Sequence, residues 1–424
     1  MGHMLPNPHA GGKASRAAER HSLETGLPHP IRTSMIRRFS RDRSLRRSAP
    51  LTQTLDIRRC RTARDWRLFE RIPELLHGDD PAFVPPIPGE VAKLRGRGHI
   101  FHLSGTLRAY VAFRARTPVG RVASIVNRTH NEFHGDTTGF FGFFSFADED
   151  VAGPLLEQVR QDLAEQGRDL IRGPFNPTQN DECGLQVEGF GKRPYFGMPY
   201  NPPWYVDVYE SLGLEKARDL VAYDVDPSLE KSFDHRLRGL AERVRERLGI
   251  TVRPIDMKRQ HEEAQLITRL FNECLAEEWN FMPLSVEMAE AFAKDLAGQL
   301  DPEAILIAEA NGEPAGLSIA LPDLNVLLTE LKRFPRWLRL IRLLWLLKTR
   351  RCQGARWAVF GMLPQYRRKG GTLVLIYEAI TRGKRRYSRG EISWTQDTNS
   401  DIARLVAELG VVPYKRYRIY ETRV

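Results

Sequence analysis

Apolar and polar positions fall into regular patterns only from residue 55 onward. Residues 55–60 alternate, which predicts a strand, and residues 63–76 repeat apolar positions three and four apart, which predicts a helix with one buried face. The runs 107–113 and 120–127, joined at Thr117-Pro118, have the pattern of a hairpin. A phenylalanine-rich strand follows at 139–146, then a helix at 151–166 and a short strand at 170–173. Residues 229–248 predict a charged helix, after which the order starts again. Strand 251–255 and helices 262–277 and 285–296 lead to strands 304–310 and 314–321, joined by the turn dipeptide Asn311-Gly312. Strand 355–363, helix 371–387, strand 390–394, helix 400–409 and strand 414–420 complete the chain. This mixed order predicts an α/β fold with a central mixed sheet and helices on both faces. The first half follows a looser version of it, so the economical organisation is two related units, 55–228 and 229–424, behind a basic segment, 1–54.

Two stretches break the pattern. Residues 173–205 are dense in Gly, Pro and Asn, with Tyr200, Trp204 and Tyr205 interleaved. Loops of that length are functional or disordered, and the aromatics favour an ordered cleft wall or a packed loop. The second stretch, 334–348, lies where an insertion of about 30 residues separates two strands. There Arg336, Arg339 and Arg342 recur every third residue, and Trp337, Leu340, Ile341, Leu344, Trp345 and Leu347 fill the remaining arc. A basic amphipathic helix with Trp fits a membrane interface, the rim of an apolar cleft, or packing between the two units.

Composition narrows the class. A chain of 424 residues exceeds one ordinary core. Hydrophobic content of 42%, 28% charged residues and a mean hydropathy of −0.42 are those of a folded globular protein. No apolar run reaches the ~20 residues of a bilayer span. Cys60, Cys183, Cys274 and Cys352 are far apart, with neither CxxC spacing nor a histidine partner, which points to a reducing cytoplasm and to no metal site. The net charge of +11 is concentrated in residues 1–54, which hold ten Lys/Arg against three Asp/Glu; the rest of the chain carries +4. That segment reads as disordered, and without a recognition motif no nucleic-acid partner is expected.

Candidate chemistry begins at the end of strand 355–363, where Gln365-Tyr-Arg-Arg-Lys-Gly-Gly371 passes straight into a helix. A glycine-preceded helix N-terminus offers unpaired N–H groups and partial positive charge to a pyrophosphate. Arg367, Arg368 and Lys369 add charge, and Gly370, Gly371 and Thr372 form the turn. This stretch resembles the Arg/Gln-x-x-Gly-x-Gly/Ala signature of GNAT N-acyltransferases, with Arg367 first, Gly370 fourth and Thr372 in place of the small sixth residue. The order of elements over about 170 residues is similar as well. More narrowly, the chain resembles the bacterial family that includes bacterial ceramide synthases. The residues that carry this likeness are Gly139-Phe-Phe-Gly-Phe-Phe144, Gly173-Pro174 with Asn176, Tyr200-Asn201-Pro202, Glu391, Ser393-Trp394, Asn399, Tyr414-Lys415, Tyr417-Arg418 and Tyr420.

The resemblance implies a tandem GNAT-like fold, acyl-CoA as cosubstrate and direct attack of a free amine on the thioester. It also implies strands that part at residues 360–363, exposing N–H groups at Met362 and Leu363, and an asparagine, Asn399, on the pantetheine arm. The helix tyrosine that protonates the leaving thiolate in many relatives is missing from 400–409, which leaves Tyr414 or Tyr417 as the acid. For the base, Glu391 is the first choice, with Glu278 and Asp323 as rivals; a mid-helix Cys274 reads as core. Substrate contacts are expected at Asn176, Tyr200, Asn201, Trp279, Asp323, Trp337, Trp345 and Trp394. The leading function is long-chain N-acylation of a lipid amine such as a sphingoid base, in the cytoplasm or at the cytoplasmic face of the inner membrane. The alternatives are acetylation of a small amine or protein, and non-catalytic binding of acyl-CoA or lipid.

Overall fold

The turn Asn311-Gly312 has φ of +54° and +86° and closes a hairpin in which Ala310 faces Glu313. Such a two-residue loop needs positive φ at both positions to match the twist of its strands. The computed structural model describes residues 54–225, 230–295, 300–398 and 411–424. The basic N-terminal segment, Asn399 and the 400–409 helix fall outside the described residues.

In the first half the strands are β1 (Leu55–Arg59), β2 (Gly105–Arg114), β3 (Thr117–Asn127), β4 (Gly139–Phe146), β5 (Leu170–Gly173), β6 (Phe175–Asn176), β7 (Glu182–Cys183), β8 (Leu185–Glu188) and β9 (Glu215–Val225). In the second they are β10 (Ile250–Pro254), β11 (Ile305–Ala310), β12 (Glu313–Pro322), β13 (Gly354–Met362), β14 (Arg389–Gln396) and β15 (Pro413–Arg423). One sheet runs β1-β2-β3-β4-β5-β15-β9-β14-β13-β12-β11-β10, with β8 also on β15 and β6–β7 a separate hairpin. The halves repeat one another: three antiparallel pairings, then a parallel one, β4 with β5 and β13 with β14. Each half is completed by the other's last strand, since β15 pairs β5 and β9 pairs β14.

Strand β9 and the helix Tyr205–Ser211 are absent from the sequence reading. The first five residues of β9, Glu215-Lys-Ala-Arg-Asp219, carry four charges that hide its alternation. Three of those charges are engaged in the fold, Lys216 Nζ with Asp219 at 2.8 Å and Arg218 over the Trp279 ring at 5.2 Å.

Helix Glu149–Ala164 buries Val151, Leu155, Val159 and Leu163 against Phe141, Phe144 and Phe146 of β4. Its counterpart Gly371–Gly383 buries Leu373, Leu375, Ile376 and Ile380 against Leu306, Ala320 and Trp357. A third cluster joins the halves, with Phe69, Phe143 and Cys183 from one and Tyr417 and Ile419 from β15. Residues Gln53–Val424 thus form one compact unit.

The insertion becomes helix Arg336–Thr349. Only Arg339, Leu343 and Leu346 of that helix are buried, packed on Leu327, Leu328 and Leu331 with Val84, Ile87 and Phe196. Trp337 is 77% exposed, and Leu340, Ile341, Leu344 and Trp345 are also exposed, so the apolar arc faces outward. Among the described residues no helix is long and apolar enough to cross a membrane.

Candidate functional site

Strands β13 and β14 pair in parallel from Gly354↔Arg389 to Trp357↔Ile392 and then part. Each carries a bulge at the point of divergence. On β13 the register against β12 slips around Ala358, and on β14 the register against β9 slips around Ser393-Trp394. A bulge adds twist and re-aims the strand, so two opposed bulges open a wedge without breaking the outer pairings. The parting begins at Ala358, two residues earlier than the family resemblance implies.

A cavity of about 1190 Å³ opens from this wedge and runs between the halves. Trp357–Phe360 and Ile392–Gln396 line it, with Phe83, Ile87, Phe144, Phe271, Phe281 and Met288 among its other apolar residues. Its volume exceeds the ~300–1,000 Å³ of ordinary small-molecule sites.

Behind the wedge lies a buried charged cluster. Glu391 on β14 is fully buried; Ser393 Oγ donates to its Oε1 and Tyr414 Oη to its Oε2. Ser393 Oγ in turn accepts from Arg356 Nε at 2.9 Å. Lys415 donates from Nζ to the Lys192 carbonyl at 2.8 Å. Burial pushes the Glu391 carboxyl above the usual range, against the hydrogen bonds from Ser393 and Tyr414 and the charge of Arg356. Burial lowers the Lys415 ammonium to about 8, against the attraction of Glu391.

The β6–β7 hairpin of the first half enters the cavity from the other side. Cys183 lies in the apolar cluster against which Trp394 packs, and Asn180 Nδ2 reaches the Met282 carbonyl at 3.4 Å. Between these anchors Asp181 and Glu182 line the cavity. Both carboxyl groups lie deep in the protein yet remain open to solvent in the cavity. Burial raises Asp181 to about 6, although Thr178 donates to it from Oγ1 at 2.6 Å and from its N–H at 3.1 Å. Burial also raises Glu182, opposed by a hydrogen bond from Asn176 and the charge of Arg121. The buried guanidiniums of Arg121 and Arg356 also line the cavity.

At the phosphate turn, Gly370 has φ of +87° and caps the helix Gly371–Gly383. Thr372 Oγ1 is buried there with no partner among the described residues. The first N–H groups of a helix also lack intrahelical acceptors. Arg368 and Lys369 are exposed beside the turn, and Arg367 is paired with Glu277. An orphaned hydroxyl beside unpaired N–H groups fits a pyrophosphate, which Gly370, Gly371, Thr372, Arg368 and Lys369 would hold. The equivalent end in the first half is closed. Asp148 caps the Val151 N–H and pairs with Arg114, and Glu149 and Asp150 fill the first turn. Three carboxylates at a helix N-terminus repel a phosphate.

Of the residues expected at the site, Asn176, Tyr200, Asn201, Glu278 and Trp394 line the cavity. Asn201 is committed to scaffold, its amide bridging the Gln186 N–H at 2.7 Å and carbonyl at 3.0 Å. Asn176 accepts from the Phe143 N–H at 2.6 Å. Glu391, Tyr414 and Tyr417 stand behind β14, outside the cavity lining; the Tyr417 hydroxyl is buried without a partner among the described residues. Asp323 is fully buried and clamped by Arg193 at 2.7 and 3.2 Å, a structural pair rather than a substrate contact. Trp279 lies beneath Arg172 and Arg218 outside the cavity lining, and Trp337 and Trp345 face outward. Met362, Leu363, Arg367 and the turn are outside the cavity lining. Sequence reasoning singled out the 173–205 stretch as a cleft wall or a packed loop but gave no role to Asp181, Glu182, Arg121, Arg356 or Ser393. Only the third dimension brings those five together.

No protein-family model matches the chain. It is 31% identical over 374 residues to Protein YghO of Escherichia coli (strain K12), across 85% of this chain and 93% of that protein. It is 28% identical over 372 residues to the bacterial ceramide synthase of Caulobacter vibrioides, across 85% and 95%. Among solved structures, a tandem GNAT protein from the clavulanic acid biosynthesis pathway aligns over 87% of this chain and 98% of its own, with a TM-score of 0.50 at 12% identity. A GCN5-related glucosamine N-acetyltransferase region of a fungal multi-domain β-N-acetylglucosaminidase aligns over 88% and 39%, with a TM-score of 0.51 at 14% identity. At such identities the likeness establishes the fold alone, and that fold is the tandem GNAT fold.

Proposed function

This chain belongs to the family of Escherichia coli Protein YghO, and from that premise we propose that it is an acyl-CoA-dependent N-acyltransferase that moves a long acyl chain to a lipid-like amine. The observation that carries the reading is the apolar cavity of about 1190 Å³ opening directly from the parted strands. An acetyl group would need little of it. A chain of ~14 methylenes gains on the order of 10 kcal/mol of gross burial, and needs an apolar wall along its whole length to do so. The ceramide synthase similarity over most of both chains agrees with an acceptor of the sphingoid type.

In this reading the second half alone holds the nucleotide, because its helix N-terminus is open where the first half's is closed by Asp148. The parted strand β13 turns backbone N–H groups toward the thioester carbonyl, where they stabilise the developing oxyanion. The outward apolar arc of helix Arg336–Thr349 rests on an anionic bilayer. Arg333, Arg336, Lys348, Arg350 and Arg351 stand exposed around it, and a bilayer accepts apolar side chains flanked by cations. That helix packs on Val84, Ile87 and Leu328, which line the cavity themselves. A lipid amine therefore has one layer of side chains to pass between membrane and site.

The test is thiol release from palmitoyl-CoA and from acetyl-CoA, each with sphinganine and with dodecylamine. Release from palmitoyl-CoA is the expected result. Release from acetyl-CoA alone would sink the lipid reading, and binding of both thioesters without release would mark a non-catalytic protein.

A further inference from the structure

We propose that Asp181 and Glu182, carried into the cavity by the first half's β6–β7 hairpin, receive the acceptor ammonium, and that Asp181 takes its proton. This deepens the acyltransfer reading above and rests on it. Three relationships support it. The hairpin meets both strands of the wedge, Cys183 lying in the cluster against which Trp394 of β14 packs and Glu182 facing the Arg356 guanidinium of β13, and Asn180 ties it to the Met282 carbonyl. Its carboxylates are therefore held beside the parted strands, where the thioester carbonyl would lie.

Next, the two carboxylates are open to the cavity, whereas Glu391 is sealed behind β14 with both oxygens occupied. Three of the other acidic side chains on the cavity wall already have tasks. Glu263 pairs with Arg253, Glu290 with His261, and Asp256 caps the Lys258 N–H. Glu278 lies near Arg367, on the nucleotide side.

Finally, the charges around the pair suit a base that works near neutral pH. Glu182 and Cys183 adjoin Asp181 in the chain, and Arg121, Arg356 and Tyr417 face Glu182 from β3, β13 and β15. Burial holds Asp181 at about 6, so the carboxylate is ionised at pH 7 yet basic enough to take a proton.

The step balances as follows. One ammonium proton passes to Asp181, and the freed nitrogen lone pair forms the N–C bond to the acyl carbon. The C–S bond breaks with its electron pair on sulfur. Of the two protons left on nitrogen, one ends on sulfur as the thiol and one remains in the amide, and Asp181 returns its proton to solvent through the cavity.

The experiment uses the full chain with palmitoyl-CoA and dodecylamine. Asp181→Asn should lower kcat roughly 100-fold, leave the affinity for CoA unchanged and remove the acid limb of the pH–rate profile near 6. Asp181→Glu should restore part of the rate. Calorimetry provides a readout that needs no turnover: dodecylammonium should bind D181N/E182Q about 10-fold more weakly than the parent chain. A D181N variant with parental kcat and an intact acid limb overturns the assignment, as does parental amine affinity in the double variant. A parent chain that binds amine through these carboxylates but releases no thiol would instead overturn the acyltransfer reading.

Discussion

Arg356 and Glu391 are register partners on the parallel strands β13 and β14, one pair before those strands part. Ser393 Oγ links them, accepting from Arg356 and donating to Glu391. A buried charge pair with a shared hydroxyl can hold the root of the wedge in one geometry only while all three members are present. Removing one leaves an uncompensated charge, at about 3–5 kcal/mol. R356M should therefore destabilise the chain by roughly 3 kcal/mol in urea unfolding. R356M/E391Q should lose less than the sum of the single variants, with a coupling of at least about 1 kcal/mol. Strict additivity would show that the two do not act as a unit.

The phosphate turn makes a second prediction. A Cβ at Gly370 would meet nothing nearer than 3.8 Å, so space is not the obstacle; the φ of +87° is. A side chain there costs about 1–2 kcal/mol in the left-handed region or forces the turn to rearrange. G370A should bind CoA about 10-fold more weakly by calorimetry. Parental affinity would place the nucleotide elsewhere.

Surface chemistry separates the membrane reading from simple packing. The variant W337S/I341S/L344S/W345S changes exposed positions only. It should keep the parental melting temperature within a few degrees while losing flotation with phosphatidylglycerol vesicles. Turnover of water-soluble short-chain substrates should be unaffected. Unchanged flotation would remove the helix from membrane contact.

Acid stability should reflect His77. Its Nε2 lies 2.8 Å from the Tyr205 hydroxyl, and burial lowers its pKa to about 4. The unfolded chain takes up this proton near pH 6.5, the folded chain only near 4. The contribution is thus complete above about 6.5 and is lost as pH falls through 4, at most about 3 kcal/mol. His77→Gln should flatten the stability profile between pH 7 and 4 in urea titrations, and a profile as steep as the parent's would assign the acid loss to other groups.

Much of this architecture was legible along the chain because it is local. Asn311-Gly312 names its own turn, and the phenylalanine-rich run at 139–146 names a strand to the residue. Strand β9 was not legible because its charged half is engaged through tertiary contacts, Lys216 with Asp397, Asp219 with Arg418 and Arg218 with Trp279. The insertion helix shows the limit of periodicity. A repeat near 3.6 says that two faces differ, but which one looks inward depended on Arg339 meeting Glu74 at 2.7 Å and on Leu346 finding Leu331.

By itself the sequence determined most of the elements, their order and their repetition in two halves, since each is set by residues within a few positions of one another. The tertiary structure decided what the site contains. Sheet pairing exchanged β9 and β15 between the halves, opposed bulges opened β13 from β14, and Glu391 was sealed while Asp181, some two hundred residues away in the chain, was turned into the cavity. Burial and long-range pairing decide which carboxylate meets solvent, and neither quantity exists along a chain.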